Sequence, residues 1–295
     1  MAKLLNGKET SEKMRSEMKV EVARLKEKYN LTPGLAVILV GDHPPSVSYV
    51  KSKEQACADI GVLSKKYKFA ADYPQTDLLK LIDDLNRDPS VHGILVQVPL
   101  PGHVDEKKVL YAIDPAKDVD GFHPVNIGKM MIGGDCFLPC TPFGIQQLML
   151  QNGIDVGGKH VVIVGRSNIV GKPLAMMLIQ KKRGANATVT ICHTGTKDLA
   201  RHVGQADILV LAAGKPNTVT ADMISDGAVV IIVGQNWIED KTKKSGFRVI
   251  GDVDFEAASH KASAITPVLG GVGPMTITML MHNTILSAKR HAGID

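Results

Sequence analysis

Aromatic residues are scarce in this chain, at 4% with a single tryptophan, so stacking platforms for bases or sugars are few. Cysteine is scarce as well. Of Cys57, Cys136, Cys140 and Cys192 only the middle two lie close together, and their spacing matches no common zinc or redox motif, which argues against a metal centre and against a disulfide framework. No uninterrupted apolar run approaches the roughly 18 residues of a membrane span, and the opening MAKLLNGKET lacks the apolar core of a secretory signal. A cytoplasmic protein without a membrane partner is therefore expected. Charge of one sign is not in excess either: the formal balance is +5, and Lys and Arg are dispersed apart from short clusters such as residues 181–183. No nucleic-acid surface is expected, although an acidic small molecule would be steered favourably.

What the chain does have is length for two domains, at 295 residues, and a regular alternation of elements. Met14, Met18, Val22 and Leu25 fall on one stripe of a charged segment and predict an amphipathic helix over 12–28. Strands follow at 35–41, around 65–70, and at 93–100, separated by helical patterns at 46–60 and 76–86. This βαβαβ order predicts a parallel sheet. Residues 114–142 are rich in Gly, Pro, Asp and Asn and read as a functional loop or domain junction. Placing the boundary near Cys140 gives a first domain over 1–140, an α/β domain of three layers. A second domain of Rossmann type follows over 141–274, with a helix at 142–152, strands at 160–165, 188–193, 207–214 and 228–234, and a short one near Val249. A last helix, 275–290, is expected to carry the C-terminal segment 275–295 back onto the first domain.

The segment HVVIVGRSNIVGKPLAMML, from His160 to Leu178, is the most informative. Val161 to Val164 suit a strand buried on both faces, Gly165 and Gly171 bracket a turn, and Pro173, Leu174, Met177 and Leu178 suit the helix behind it. Unpaired N–H groups at such a helix start face an anion. The pattern departs from G-x-G-x-x-G, because Ser167 stands at the middle glycine and the second glycine arrives one residue late. The following strand ends at Cys192, His193 and Thr194, about 20 residues on, where an NAD-type fold usually has an acid. None is present. A carboxylate there would repel a 2′-phosphate, and Arg166 offers the opposite charge, so NADP is favoured over NAD, against the plainer alternative of a strand-turn-helix unit that binds nothing.

In the first domain, Tyr49, Lys53, Ala56, Cys57 and Ile60 share one helix face, so Lys53 interrupts an apolar stripe. Desolvation would favour the neutral amine and suit it to proton transfer; the bland alternative is a lysine snorkelling its ammonium to water. Gln97 is a polar amide in an otherwise apolar strand, next to Pro99, at the end where open α/β sheets place their sites, unless it faces outward. Asp120, in KDVDGFHP, reads either as a turn residue or as a carboxylate that accepts two N–H bonds from a guanidine-like ring edge.

Together these pieces resemble the bifunctional methylenetetrahydrofolate dehydrogenase/cyclohydrolases. The segments that carry the likeness are SYVKSKEQACADIG, GILVQVPLP, DPAKDVDGFHPVNIGK, PCTPFGI, VVIVGRSNIVGKP, ILVLAAGKP, GDVDF and TPVLGGVGPMT, in the family's order and across nearly the whole chain. The resemblance implies NADP-linked oxidation of 5,10-methylenetetrahydrofolate to the methenyl compound and its hydrolysis to 10-formyltetrahydrofolate, in one cleft between two domains of a homodimeric enzyme. It makes Lys53 the general acid/base, Gln97 its tuning partner, Tyr49 the residue that positions the folate ring, and Asp120 the anchor of the pterin edge. It also brings the glycine loop 270–274 beside the ligands, with Gly271 and Pro274 toward folate and Gly273 toward cofactor; by itself such a loop is equally an interdomain turn. Gly165, Arg166, Ser167 and Thr194 become cofactor contacts. Three positions depart from the family pattern: Leu269 for proline, Ile232 for aspartate, and Thr194 for serine. The first two lie in the dehydrogenase half and leave a cyclohydrolase-only enzyme as one alternative, with a non-catalytic nucleotide-binding module as another.

Overall fold

A computed structural model describes residues 2–240, 242 and 246–294. In chain order the first elements are β1 (Lys3–Leu4), α1 (Gly7–Tyr29), β2 (Gly34–Val40), α2 (Pro44–Ile60), β3 (Leu63–Phe69), α3 (Gln75–Arg87) and β4 (Gly93–Val96). Next come α4 (Glu106–Tyr111), α5 (Pro124–Met131), α6 (Cys140–Gln151), β5 (His160–Val164), α7 (Gly171–Leu178), β6 (Thr188–Cys192), α8 (Leu199–Val203) and β7 (Ile208–Leu211). The chain finishes with β8 (Val229–Ile232), β9 (Asn236–Glu239), β10 (Phe247–Ile250), α9 (Phe255–Lys261), β11 (Ala264–Ile265) and α10 (Val272–His291). Two compact units result, one of Glu12–Cys140 with Ile277–Asp295 and the other of Met1–Ser11 with Thr141–Thr276.

The first unit holds a three-stranded parallel sheet in the order β3-β2-β4. Every residue of β2 is buried, which is why GLAVILV is a continuous apolar run rather than an alternating one. β3 is an edge strand, and its lysines blunt that edge; Lys65 pairs with Asp88 and Lys66 with Glu54, both at 2.8 Å. Ala36, Ile38, Ile94 and Val96 pack on Leu78, Ile82 and Leu85 of the strongly amphipathic α3. Pro44 and Pro45 open α2, where a missing N–H costs nothing.

The second unit is a six-stranded sheet, β1-β11-β8-β7-β5-β6, with every pairing parallel. Successive residues face opposite layers, as the two-residue strand period requires: Val162, Val164, Leu209, Leu211, Val230 and Ile232 enter one core, while Val161, Ile163, Ile208, Val210 and Ile231 enter the other. Val164, the last residue of β5, is in register with Cys192 on one side and Leu211 on the other. The sheet therefore reverses direction of progression at β5, and open α/β sheets bind ligands at such a switch point.

Several expectations need correction. Residues 2–11 do not belong with the first domain, because β1 adds a parallel strand to β11 and Leu5 sits in the core of the second unit. The strand expected over 93–100 stops at Val96; Pro99 and Pro101 have no N–H to extend a ladder. The strand near Val249 is β10, which pairs antiparallel with β9 in a separate two-stranded ribbon. The supposed loop 114–142 contains α5, too short at eight residues to show a period. The last helix starts at Val272, so Gly273 and Pro274 lie in its first turn rather than in a loop, a place that proline tolerates. Among the described residues no helix is long and apolar enough to cross a membrane.

Candidate active site

In the first unit, α2 and the segments after β4 and before α6 bring four polar groups together. Lys53 is only 7% exposed, on the helix face that also buries Ser46, Val50, Ala56, Cys57 and Ile60. Its Nζ does not reach solvent by snorkelling; it donates to Gln97 Oε1 at 3.0 Å. The Gln97 amide in turn donates from Nε2 to the Val98 carbonyl at 2.7 Å, and its backbone N–H still bonds Ile38 of β2, which fixes the acceptor oxygen toward the lysine. Tyr49 stands one turn before Lys53, half-buried, and burial raises its phenol above the usual value.

Burial also dominates the electrostatics. Desolvation lowers the Lys53 ammonium below its ordinary range, opposed by the negative charge of Asp120 and by Cys140. Asp120 is raised by burial, opposed by Lys53 and by the nearby Cys140 thiol. Both shifts run toward the neutral pair, so the desolvation cost exceeds the mutual attraction. Cys140 itself is pushed well above the ordinary thiol range by burial, with Asp120 adding to it. Its Sγ donates to the Val119 carbonyl at 3.3 Å, and its backbone N–H reaches the Asp120 carbonyl at 3.3 Å. Asn283 of α10 donates to the Val119 and Leu138 carbonyls at 2.8 and 3.0 Å, so the strand of chain bearing Asp120 is held from both sides. Asp118 holds the same turn through the N–H groups of Phe122 and His123 and the Asn126 amide; burial raises its carboxyl to about 6 in spite of those three donors.

In the second unit, Gly165, Arg166, Ser167 and Thr194 line one cavity of about 550 Å³, together with His193, Thr196 and the loop after β7 that carries Lys215. The turn is built from backbone. Gly165 has φ +133°, and a Cβ there would lie 2.2 Å from the Ala212 carbonyl oxygen; a Cβ on Gly171 would lie 2.0 Å from that of Gly165. Ser167 Oγ accepts the Val170 N–H at 3.1 Å, and Gly195 N–H donates to His193 Nδ1 at 3.0 Å. A cavity of this size at the switch point, walled by closely approaching backbone and carrying Arg166 and Lys215, fits an anionic dinucleotide. Gly271, Gly273 and Pro274 do not line it. Gly271 packs closely on Gly7, and the Gly270 carbonyl accepts the Lys8 N–H at 2.8 Å. Ile232 is buried among apolar neighbours, and its N–H donates to Thr266 Oγ1 at 2.7 Å; Leu269 is exposed.

Sequence reasoning passed over Cys140 and Asn283 as parts of the site. The PCTPFGI segment was a signal for the first; nothing local marks an asparagine eleven residues into an apolar helix. Among the described residues no group of three or more His, Cys, Asp or Glu side chains is placed to hold a metal, and no disulfide joins the four cysteines.

The family comparisons also divide the chain in two near Cys140, though they assign the chain ends differently from the compact units. The catalytic domain of tetrahydrofolate dehydrogenase/cyclohydrolase matches residues 5–120, and the NAD(P)-binding domain of the same enzymes matches residues 139–292. The chain belongs to this family. A bifunctional protein FolD of Syntrophus aciditrophicus is 55% identical over 291 residues, covering 99% of both chains. The crystal structure of the bifunctional FolD methylenetetrahydrofolate dehydrogenase/cyclohydrolase of Campylobacter jejuni superposes with a TM-score of 0.92 at 49% identity, covering 98% of this chain and 99% of that one. The Trypanosoma brucei enzyme, solved with NADP cofactor and inhibitor, gives 0.94 at 38% identity, covering 99% and 98%. The protein is thus a dehydrogenase/cyclohydrolase with an NAD(P)-binding domain of Rossmann type.

Proposed function

We propose that the protein oxidises 5,10-methylenetetrahydrofolate with NADP to the methenyl compound and hydrolyses that compound to 10-formyltetrahydrofolate, with Lys53 as the general acid/base. The observation that carries the reading is the buried Lys53 Nζ held at 3.0 Å from Gln97 Oε1. Oxidation asks little of the protein's side chains, because the carbon that loses hydride lies between two nitrogens that stabilise the resulting cation. Bound NADP supplies the hydride acceptor, and Gly165, Arg166, Ser167 and Thr194 are proposed to hold and orient it.

Hydrolysis asks more. Water adds to the methenyl carbon, and as the C–O bond forms the neutral Lys53 amine takes a water proton. The ammonium then returns a proton to the ring nitrogen as its bond to that carbon breaks, while the remaining hydroxyl proton leaves to solvent as the formyl carbonyl forms. An amine suited to both steps must titrate below the ordinary lysine range, and desolvation shifts Lys53 in that direction. Gln97 orients the amine, Tyr49 positions the folate ring, and Asp120 receives the amino edge of the pterin; Gly271, Gly273 and Pro274 enter the proposal only as backbone that approaches the ligands closely. A cytoplasmic homodimer completes it, and sedimentation analysis checks the assembly.

The deciding assay follows methenyl formation with NADP or NAD, and methenyl decay without either. Decay no faster than in buffer removes the hydrolase assignment; equal oxidation with NAD removes the cofactor preference. NADP-independent decay without any oxidation would favour the cyclohydrolase-only alternative.

A further inference from the structure

Asp252, between β10 and α9 in the NAD(P)-binding unit, has no exposed surface. No lysine or arginine pairs with it among the described ion pairs. Its partners are backbone and amide donors: Oδ2 accepts the N–H groups of Ala213 at 2.7 Å and Gly214 at 3.1 Å, and Oδ1 accepts Asn236 Nδ2 at 3.0 Å. Its own backbone carbonyl accepts the Val219 N–H at 3.4 Å. One residue therefore fastens both ends of the segment that follows β7, its start at 213–214 through the carboxylate and its far end at 219 through the main chain.

That segment is a wall of the cavity at the switch point. Ala212, Ala213, Lys215, Pro216, Asn217 and Thr218 all line it, whereas Asp252 does not. Beyond Asp252, the Ala212 N–H donates to the Val164 carbonyl at 2.8 Å and Val219 is buried in the core, so the stretch between them relies on its own turn. Asn217 adopts φ +52°, a left-handed conformation that an asparagine enters at some cost, and the Thr218 hydroxyl bonds only back to Lys215 within the same turn. The approach of the carboxylate is close: a Cβ on Gly234, at the end of the neighbouring strand, would lie 2.1 Å from Asp252 Oδ1. A buried carboxylate held by three N–H donors is among the stronger neutral-to-charged anchors available to a loop.

We propose that Asp252 is a positioning residue for the cofactor: its carboxylate fixes the 212–219 segment in the shape that receives NADP, and so sets cofactor affinity without touching the cofactor. The inference rests on the reading that NADP occupies this cavity. An asparagine keeps the volume but offers one acceptor oxygen in place of two, and it must set its NH₂ against either the two backbone N–H groups or the Asn236 amide.

The test measures NADP binding by isothermal titration calorimetry and NADP-dependent oxidation for wild type, Asp252→Asn and Asp254→Asn. Hydrolysis of supplied methenyl compound, assayed without NADP, and the thermal midpoint accompany them. Asp254 is the control from the same segment, since it only caps α9 through the Ala257 N–H and asparagine caps as well. The expected result is an NADP Kd and KM raised on the order of tenfold in Asp252→Asn, as the loss of a charged anchor implies, with kcat changed far less, hydrolysis at the wild-type rate, and Asp254→Asn like wild type. An unchanged Kd overturns the proposal, and so does a loss of hydrolysis in the same proportion as NADP affinity, which would make Asp252 a residue of general folding. Wild type that binds no NADP would instead remove the cofactor reading, and this inference with it.

Discussion

The two units solve opposite problems with opposite materials. The first hides titratable side chains: burial lowers the proton affinity of Lys53 and raises that of Asp120 and Cys140. The second hides almost none at its cavity. It shapes backbone, with Gly165 and Gly171 letting carbonyls approach to distances that no side chain permits, and leaves Arg166 and Lys215 at the surface of the pocket. Proton transfer needs a group whose affinity for a proton can be tuned, and burial is the strongest tuner. Holding a dinucleotide needs many weak, well-placed donors, which main chain supplies most rigidly.

If that contrast is sound, side-chain and backbone substitutions should separate the two activities. The largest effect is expected from Lys53→Met, which should slow methenyl hydrolysis by about 100-fold or more, the usual share of a general acid/base, while leaving the NADP Kd where it was; a parallel loss of NADP binding would break the division. Next is Gly171→Ala, whose methyl would collide with the Gly165 carbonyl. A loss of about tenfold or more in NADP affinity is expected, about 1.4 kcal/mol, with hydrolysis intact; calorimetry beside the methenyl assay reads both.

Asp120→Asn should act within the first unit alone. Removing the anion that favours the Lys53 ammonium lowers the lysine further, so the acid limb of the hydrolysis profile moves to lower pH, with a rise of a few-fold in folate KM. A profile that stays in place would show that the two charges do not communicate.

The smallest effect concerns stability. His92 is buried, accepts the Gly34 N–H at 3.0 Å, and is lowered to about 4 chiefly by desolvation. Its folded value lies below the ordinary one, so its contribution is complete above about pH 6.5 and is lost as pH falls toward 4. Asp118 has the opposite sign: raised to about 6, it contributes fully below its ordinary range and loses that contribution as pH rises through 6. The two slopes oppose one another in wild type. In His92→Asn the Asp118 slope should be unmasked, with denaturant midpoints falling from pH 4 to 6; a midpoint that climbs instead would contradict the assignment.

Much of this was legible in the chain because it is local. The run Val161–Val164, the glycines around the turn and the helix behind it are contiguous, and their spacing carries the strand, the turn and the helix start. The wheel position of Lys53 was equally readable, since helical period alone puts it among apolar neighbours. Short or paired elements were not: β1 and β11 are two residues each, α5 has eight, and β10 looks like any strand until β9 lies beside it. The 270–274 glycines are ambiguous for a related reason, since a glycine needed for close packing and one needed for a ligand look alike in sequence.

By itself, then, the sequence determined the alternation of strands and helices, the glycine turn at 165–171, the missing acid after β6 and an apolar helix face broken by a lysine. Tertiary structure decided what each of these meets. Whether Lys53 snorkels or stays buried depends on Gln97, 44 positions away, and on Asp120 and Cys140 further on. The shape of the cavity wall depends on Asp252 reaching back 39 residues to Ala213. Periodicity is a property of neighbours along the chain, but the cost of burying a charge is set by whatever partners the fold delivers to it.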